Sequence, residues 1–396
     1  MTRVAILGAY RTPIGKFMGD LSSLSAVELG TAVVSGLLER TGVEAPDVQE
    51  VIFGQARQAG SGPNPARQIA VRAGVGESTP AFTVNKACGS SLKAIDLGRA
   101  ALLLDGRDVV VVGGTESMSN IPFLLPQMRR GYRLGDAQAL DGNYTDGFTC
   151  GILDEPMGMT AEFLADDYGI VRMEQDRLAL ASHQRAEAAQ NEGRFVDEII
   201  PLQVKVGKQT RTVERDEHIR PGMTLEKLAK LPPVFRSQAE GGTVHAGNSS
   251  GITDGAAALL LMTEEEMRRR GLRPLAFLGA SATAGVSPRT MGIGPVPAIR
   301  NLCESTGSSL SEFELIELNE AFAAQAIACY RDLALDTDRV NVNGGAIALG
   351  HPIGATGCRI VVTLLHEMRR RSARRGLAAL CMSGGMGMAV AFGNED

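Results

Sequence analysis

Two stretches of this chain spell the same order of elements. Residues 84–114, VNKACGSSLKAIDLGRAALLLDGRDVVVVGG, run through a Gly/Ser turn, a helical pattern, a short polar loop, an apolar run and a glycine pair. Residues 350–385, GHPIGATGCRIVVTLLHEMRRRSARRGLAALCMSGG, keep that order with a slightly longer loop. The repetition points to a duplicated half-domain. Apolar runs rich in Val and Ile at 4–8, 109–112 and 378–382 are bounded by Gly and read as buried strands. Helical spacing recurs between them, at Leu92, Ile95, Leu97 with Leu102–Leu104 and at Ile360–Leu365 with Met368. Strands alternating with helices predict an α/β architecture with parallel or mixed sheets. With 396 residues, the chain has length for two or three such units.

The middle has another texture. From about 119 to 247 the chain is more polar, carries PFLLPQ, PVFRSQ and Gly-rich breaks, and holds a helical pattern near 174–192. It reads as an insertion lying over the two halves. Its first part, 120–148, shows little periodicity and reads as an oligomerisation arm. The division is then 1–118, completed by about 248–271, an inserted loop domain 119–247, and 272–396.

Bulk numbers exclude several functions. Forty Lys and Arg against 45 Asp and Glu leave a net charge of -5, which argues against a nucleic-acid partner. The Arg runs 268–270 and 369–371 each follow a helical stretch, where cations suit the negative helix end. The longest apolar runs, such as AAALLLM at 256–262, fall far short of the ~18 residues of a membrane span. The opening MTRVAILGAYRTP is too short and wrongly flanked for a signal peptide, so a cytoplasmic location is expected. None of the six cysteines, Cys88, Cys150, Cys303, Cys329, Cys358 and Cys381, shares a Cys-x-x-Cys spacing, and no metal site is expected.

Glycine is the compositional outlier, at 47 residues with no Trp, and its clusters mark the chemistry. Cys88 in NKACGSS follows an extended segment and precedes a helical run. A thiol there faces the positive end of the helix dipole, which favours thiolate; a buried structural thiol is the competing reading. His351 lies in VNVNGGAIALGHPIGATG, the one histidine of five framed by glycines. Cys381 ends an apolar run and opens CMSGGMGMA, at a strand C-terminus with close-approach backbone around it. Asn319 sits at a polar break in ELIELNEAFAAQAIA, where capping a helix is the plainer role, and Glu320 reads as a first-turn acid. GNSSG at 247–251 matches the nucleophile-elbow pattern around Ser249 but lacks a clean preceding strand and a following helix. Phosphate-binding, dinucleotide-binding and zinc-protease motifs are absent from the sequence.

These residues, with RTPIGKFMG at 11–19, VNKACGSSL at 84–92, GGTESMS at 113–119, MGMTAE at 157–162, GNSSGITDGAAA at 247–258, NEAFAAQ at 319–325, NVNGGAIALGHPIGATG at 341–357 and CMSGGMGMA at 381–389, resemble the thiolases over essentially the whole chain. The resemblance implies two similar βαβαβαββ halves layered α-β-α-β-α, with a loop domain inserted in the first. It implies acyl transfer between CoA thioesters: two acetyl-CoA to acetoacetyl-CoA and CoA, and the reverse thiolysis. No cofactor is permanently bound; coenzyme A and acetyl-CoA are substrates. Cys88 is then the nucleophile, His351 its base, and Cys381 the acid/base at the α-carbon. Asn319 positions a water at one oxyanion site, and the backbone N–H groups of Cys88 and Ser383 form the other. Ser250 contacts the pantetheine arm and Arg220 the nucleotide end, while Met157 and Phe235 line the tunnel. A homo-oligomer is implied, a tetramer before a dimer. Two positions depart from the pattern: Pro156 replaces the His common in short-chain members, and Ser383 stands where many have Gly. The alternatives are a longer-chain 3-ketoacyl-CoA thiolase, a decarboxylating ketosynthase, which would pair its Cys with two His or His and Asn, and a catalytically silent lipid-binding relative.

Overall fold

The apolar run that begins at Val109 continues through the glycine pair to Ser117, and all of it is buried. A run without polar alternation needs cover on both faces, and the rest of the chain supplies it. The computed structural model describes residues 3–206 and 209–394. In chain order it places β1 Val4–Arg11, α1 Ala26–Thr41, β2 Glu50–Gly54, α2 Pro65–Arg72, β3 Ala81–Val84, α3 Ser90–Leu104 and β4 Val109–Ser117. Then come α4 Met157–Tyr168, α5 Arg172–Asn191, β5 Thr253–Thr263, β6 Ala276–Gly285, α6 Pro295–Thr306, β7 Leu315–Leu318, α7 Ala323–Asp332, α8 Thr356–Arg371, β8 Arg375–Met382 and β9 Met386–Gly393. Local chemistry sets several ends: Ser25 and Glu28 form a capping box before α1, and Gly42 closes it in the left-handed conformation.

The strands lie in the order β7-β8-β9-β6-β1-β5-β4-β2-β3. In the first half β3, β2 and β4 run parallel and β5 and β1 antiparallel; in the second β7 and β8 run parallel and β9 and β6 antiparallel. The halves meet where β1 pairs antiparallel with β6, Val4 opposite Leu278. The repeated segments are therefore α3–β4 and α8–β8, as their sequences predict. Helix α8 buries 12 of its 16 residues, too many for a surface helix. It shares one core with α3 and strands of both halves. Helices α1 and α2 cover the outer face of the first half and α6 and α7 that of the second. The layers are thus α-β-α-β-α.

The chain leaves β4 at Ser117 and re-enters the sheet beside it, Asp254 pairing with Ser117. Between them it carries α4, α5 and a hairpin of Leu202–Val206 with Gln209–Val213. A buried ion cluster anchors this excursion: Arg11 Nε reaches Glu198 at 2.6 Å and its two Nη reach Asp216 at 2.7 and 2.8 Å. Both Arg runs end helices as expected, pairing with Glu264, Glu266 and Glu367.

Candidate active site

Cys88 stands between β3 and α3 in a tightly wound turn. The Asn85 side chain accepts Ala87 N–H at 3.0 Å, and the Ser90 hydroxyl donates to Ala87 O at 2.6 Å. Together they hold Ala87 in the left-handed region at φ 48°, a conformation that costs a residue with a Cβ ~1 kcal/mol or more. The backbone N–H of Ser383 draws the pKa of the thiol down, so a backbone donor survives at this non-glycine position. Ser383 is not among the residues with positive φ. The thiol is nevertheless not poised as thiolate. Burial raises its pKa, and the Ser383 N–H and the Arg57 charge offset that only in part. Dipole reasoning from the sequence misses this desolvation, so a base is needed.

His351 supplies a base-competent ring. Its backbone N–H donates to Gly251 O at 3.0 Å, and its Nδ1 lies 2.6 Å from Thr356 Oγ1. The Thr356 hydroxyl proton is committed to Pro352 O at 3.0 Å. Thr356 must therefore accept from Nδ1–H, which leaves Nε2 as the lone-pair nitrogen. Burial, reinforced by the Arg359 and Arg57 charges, lowers the pKa to about 3; the ring is neutral at neutral pH.

A cavity of ≈ 800 Å³ connects these groups. Cys88, His351 and Ser383 line it, as do Ser250, Arg220, Met157 and Phe235. Two expected residues lie behind its wall. Cys381, 1% exposed, packs with Cys150, Met157, Met291 and Ala321, and a charge on Cys88 raises its pKa further above a value already lifted by burial. Asn319, 1% exposed, has neither side-chain Oδ1 nor Nδ2 partnered, a costly state unless a water or substrate atom fills it. Asn319 caps no helix, because α7 starts at Ala323. Glu320 is no first-turn acid either; it is buried and accepts Ser182, Asn341 and the Ile347 N–H.

The glycines correct a second expectation. At Gly89 and Gly114 the room that the missing side chain leaves is filled by the other half of the protein. A Cβ on Gly89, before α3, would stand 2.2 Å from Met382 Sδ at the end of β8; one on Gly114 in β4 would stand 2.2 Å from Gly354 O, before α8. Each half's helix-entry turn thus packs on the other half's strand end. Ser249 lies before a strand and donates to His245 O, so no nucleophile elbow exists. His218 was not singled out by the sequence, yet it lines the cavity with its ring over Gly251 and Nδ1 3.0 Å from Ala348 O. Tyr144, Gly147 and Phe148 also line it, so the patternless 120–148 stretch forms part of the wall. Pro156 is a wall residue too. Among the described residues no three His, Cys, Asp or Glu are grouped to hold a metal ion, and no helix is long and apolar enough to cross a membrane.

The thiolase N-terminal domain family matches residues 4–265 and the thiolase C-terminal domain family residues 272–394. An acetyl-CoA acetyltransferase of Pseudomonas aeruginosa is 51% identical over 100% of both chains. The crystal structure of the Bacillus anthracis acetyl-CoA acetyltransferase superposes with a TM-score of 0.97 at 43% identity, covering 99% of each chain. The human mitochondrial 3-ketoacyl-CoA thiolase gives 0.96 at 40% identity, covering 100% of this chain and 99% of its own. With both domains matched, and Cys88 and a neutral His351 lining one cavity with Cys381 behind its wall, the chain belongs to the thiolase family.

Proposed function

We propose that the cavity interconverts two acetyl-CoA with acetoacetyl-CoA and CoA by a ping-pong route through an acyl-Cys88 intermediate. The activity class, acyl transfer between CoA thioesters, is that of the thiolase family, and relatives called acetyl-CoA acetyltransferase at 48 to 51% identity favour the short-chain reaction over the long-chain one. The observation that carries the mechanism is the Cys88 thiol and the Ser383 backbone in one cavity with a His351 whose tautomer leaves Nε2 basic.

His351 takes the Cys88 proton as sulfur attacks the thioester carbonyl, and CoA thiolate leaves with that proton. The N–H groups of Cys88 and Ser383 face the oxygen that gains charge. Once acylated, Cys88 can no longer ionise, so the charge that would hinder ionisation of Cys381 cannot form beside it. Cys381, its own thiol proton passed to the His351 that the departure of CoA has freed, then takes an α-proton from the second acetyl-CoA. The carbanion attacks the acyl carbon, and Cys88 departs as thiolate. In thiolysis Cys381 returns that proton. Asn319, with both polar ends unpartnered, holds the water that shares the thioester oxygen with His351. Ser250 meets the pantetheine arm, Arg220 the nucleotide end, and Met157 and Phe235 the tunnel wall. A Cys in place of a second His disfavours decarboxylative condensation.

Incubation with radiolabelled acetyl-CoA tests this assignment. The Cys88→Ala variant loses the label, whereas label persisting on another residue refutes it. Cys381→Ser keeps acylation of Cys88 while losing carbon–carbon bond formation; equal loss of both steps means that the roles are misassigned.

The same reading treats 119–247 as the loop domain of CoA binding and assembly, between a first half of 1–118 completed by about 248–271 and a second half of 272–396. A tetramer is supported by the apolar side chains that 120–148 presents outward, among them Phe123 at 67% and Leu134 at 99% exposure. Six free thiols support a reducing, cytoplasmic setting.

A further inference from the structure

Arg57 follows β2 and is 1% exposed, yet its Nε and Nη2 have no hydrogen-bond partner. A buried guanidinium with idle donors is expensive, so its other contacts carry the meaning. Nη1 donates to Asn143 Oδ1 at 3.1 Å, and Asn143 Nδ2 donates to Met118 O at 3.0 Å. The guanidinium carbon lies 4.3 Å from the centre of the Phe148 ring, a cation–π geometry. A Cβ on Gly147 would stand 1.9 Å from Nη2, so the turn rests directly on the guanidinium. The turn it supports, Tyr144–Phe148, lines the cavity that holds Cys88. From below, the Glu116 carboxylate accepts the Arg57 and Ala56 N–H groups and, at 2.8 Å, the Gly354 N–H of the His351 loop.

We propose that Arg57 is a positioning residue for acyl transfer: it clamps the Tyr144–Phe148 turn as a wall of the cavity and sets a permanent positive charge beside Cys88. The inference rests on Cys88 being the nucleophile. The groups that bear on this charge are Glu116 of β4, Asp141 before the turn, Asp146 within it, and Cys88; His351 feels it in turn, and Cys381 faces Cys88 from β8. Glu116 has its pKa raised to about 7 by burial, against the Arg57 charge and its backbone donors. Arg57 therefore faces a carboxyl that does not fully cancel it near neutral pH, and the charge reaches the thiol.

The experiment follows the rate of iodoacetamide alkylation of Cys88 against pH, with kcat and KM for acetoacetyl-CoA thiolysis, in the full-length protein. In Arg57→Met the alkylation midpoint rises by about one pH unit, and the rate at pH 7 falls about tenfold. KM rises several-fold as the wall loosens. Arg57→Lys restores the midpoint but not KM, because an ammonium lacks the planar face and fork. Asn143→Ala, which loosens the turn and keeps the charge, raises KM and leaves the midpoint in place; it carries the test with Arg57→Lys if Arg57→Met does not fold. An unmoved midpoint in folded Arg57→Met overturns the proposal, as does a midpoint that moves in Asn143→Ala. The double variant Arg57→Met/Glu116→Gln keeps the upward shift; if it does not, the effect belongs to Glu116 and the proposal fails. Thiolysis persisting in Cys88→Ala refutes the nucleophile assignment itself, whereas its loss there with a flat Arg57→Met profile refutes Arg57 alone.

Discussion

Gly114→Ala tests whether the second half's His351 loop is held in place by the first half's strand. The new Cβ would stand 2.2 Å from Gly354 O on one side and 2.5 Å from Ser91 Cβ on the other, where ordinary contact begins at 3.4 Å. Strand β4 cannot yield, being paired with β2 and β5 and buried throughout. The Gly354 carbonyl would therefore retreat by about 1.2 Å, overpacking of a kind that costs ~1–3 kcal/mol. Gly354 lies three residues after His351, and its N–H is tied to Glu116, so the displacement reaches the imidazole. A misplacement of ~1 Å at a reacting group costs roughly 100-fold in rate. The variant should lose ~1–3 kcal/mol in denaturant unfolding and about two orders of magnitude in the single-turnover rate of Cys88 acetylation. CoA binding, measured separately by calorimetry, should change little. Wild-type acetylation in a destabilised variant would show that the loop is anchored elsewhere; wild-type stability would show that the strand end gives way.

Arg11→Met should cost ~3–5 kcal/mol at pH 7, because it strands the buried Glu198 and Asp216 carboxylates. A cost below ~1 kcal/mol at pH 7 would mean that the cluster contributes no more than a surface pair. A third prediction concerns acid stability. Burial lowers the pKa of His183 to about 4 and of His351 to about 3, while the unfolded chain takes up these protons near the ordinary histidine value. Stability from each is complete above that value and lost as pH falls through it towards the folded one, by about 1.4 kcal/mol per pH unit. His183→Gln should therefore flatten the pH dependence of unfolding between pH 6 and about 4; an unchanged slope would place a charged His183 in the fold.

What could be read from the sequence was what is local. The valines of 109–112, the helical spacing after Cys88 and the matching order at 350–385 each declare themselves within a dozen residues, and the two halves, their strands and the turns holding Cys88, His351 and Cys381 follow from them. The environment of those residues could not be read so. The thiol of Cys88 is desolvated by packing and balanced by Ser383 and Arg57, 295 residues after and 31 before it. A helix-dipole argument built on the next turn of chain has no access to either, and it gave the wrong sign. The glycines make the same point in steric terms. Gly89, next to Cys88, looks like clearance for a ligand, but the atom it admits is Met382 Sδ, and Gly114 likewise admits Gly354 of the opposite half. Duplication accounts for this: the turns that enter α3 and α8 must each fit against the strand end that the other half provides. Close packing of the turns that carry Cys88 and His351 against the opposite half requires backbone without side chains at the contact, and both residues line the cavity that remains.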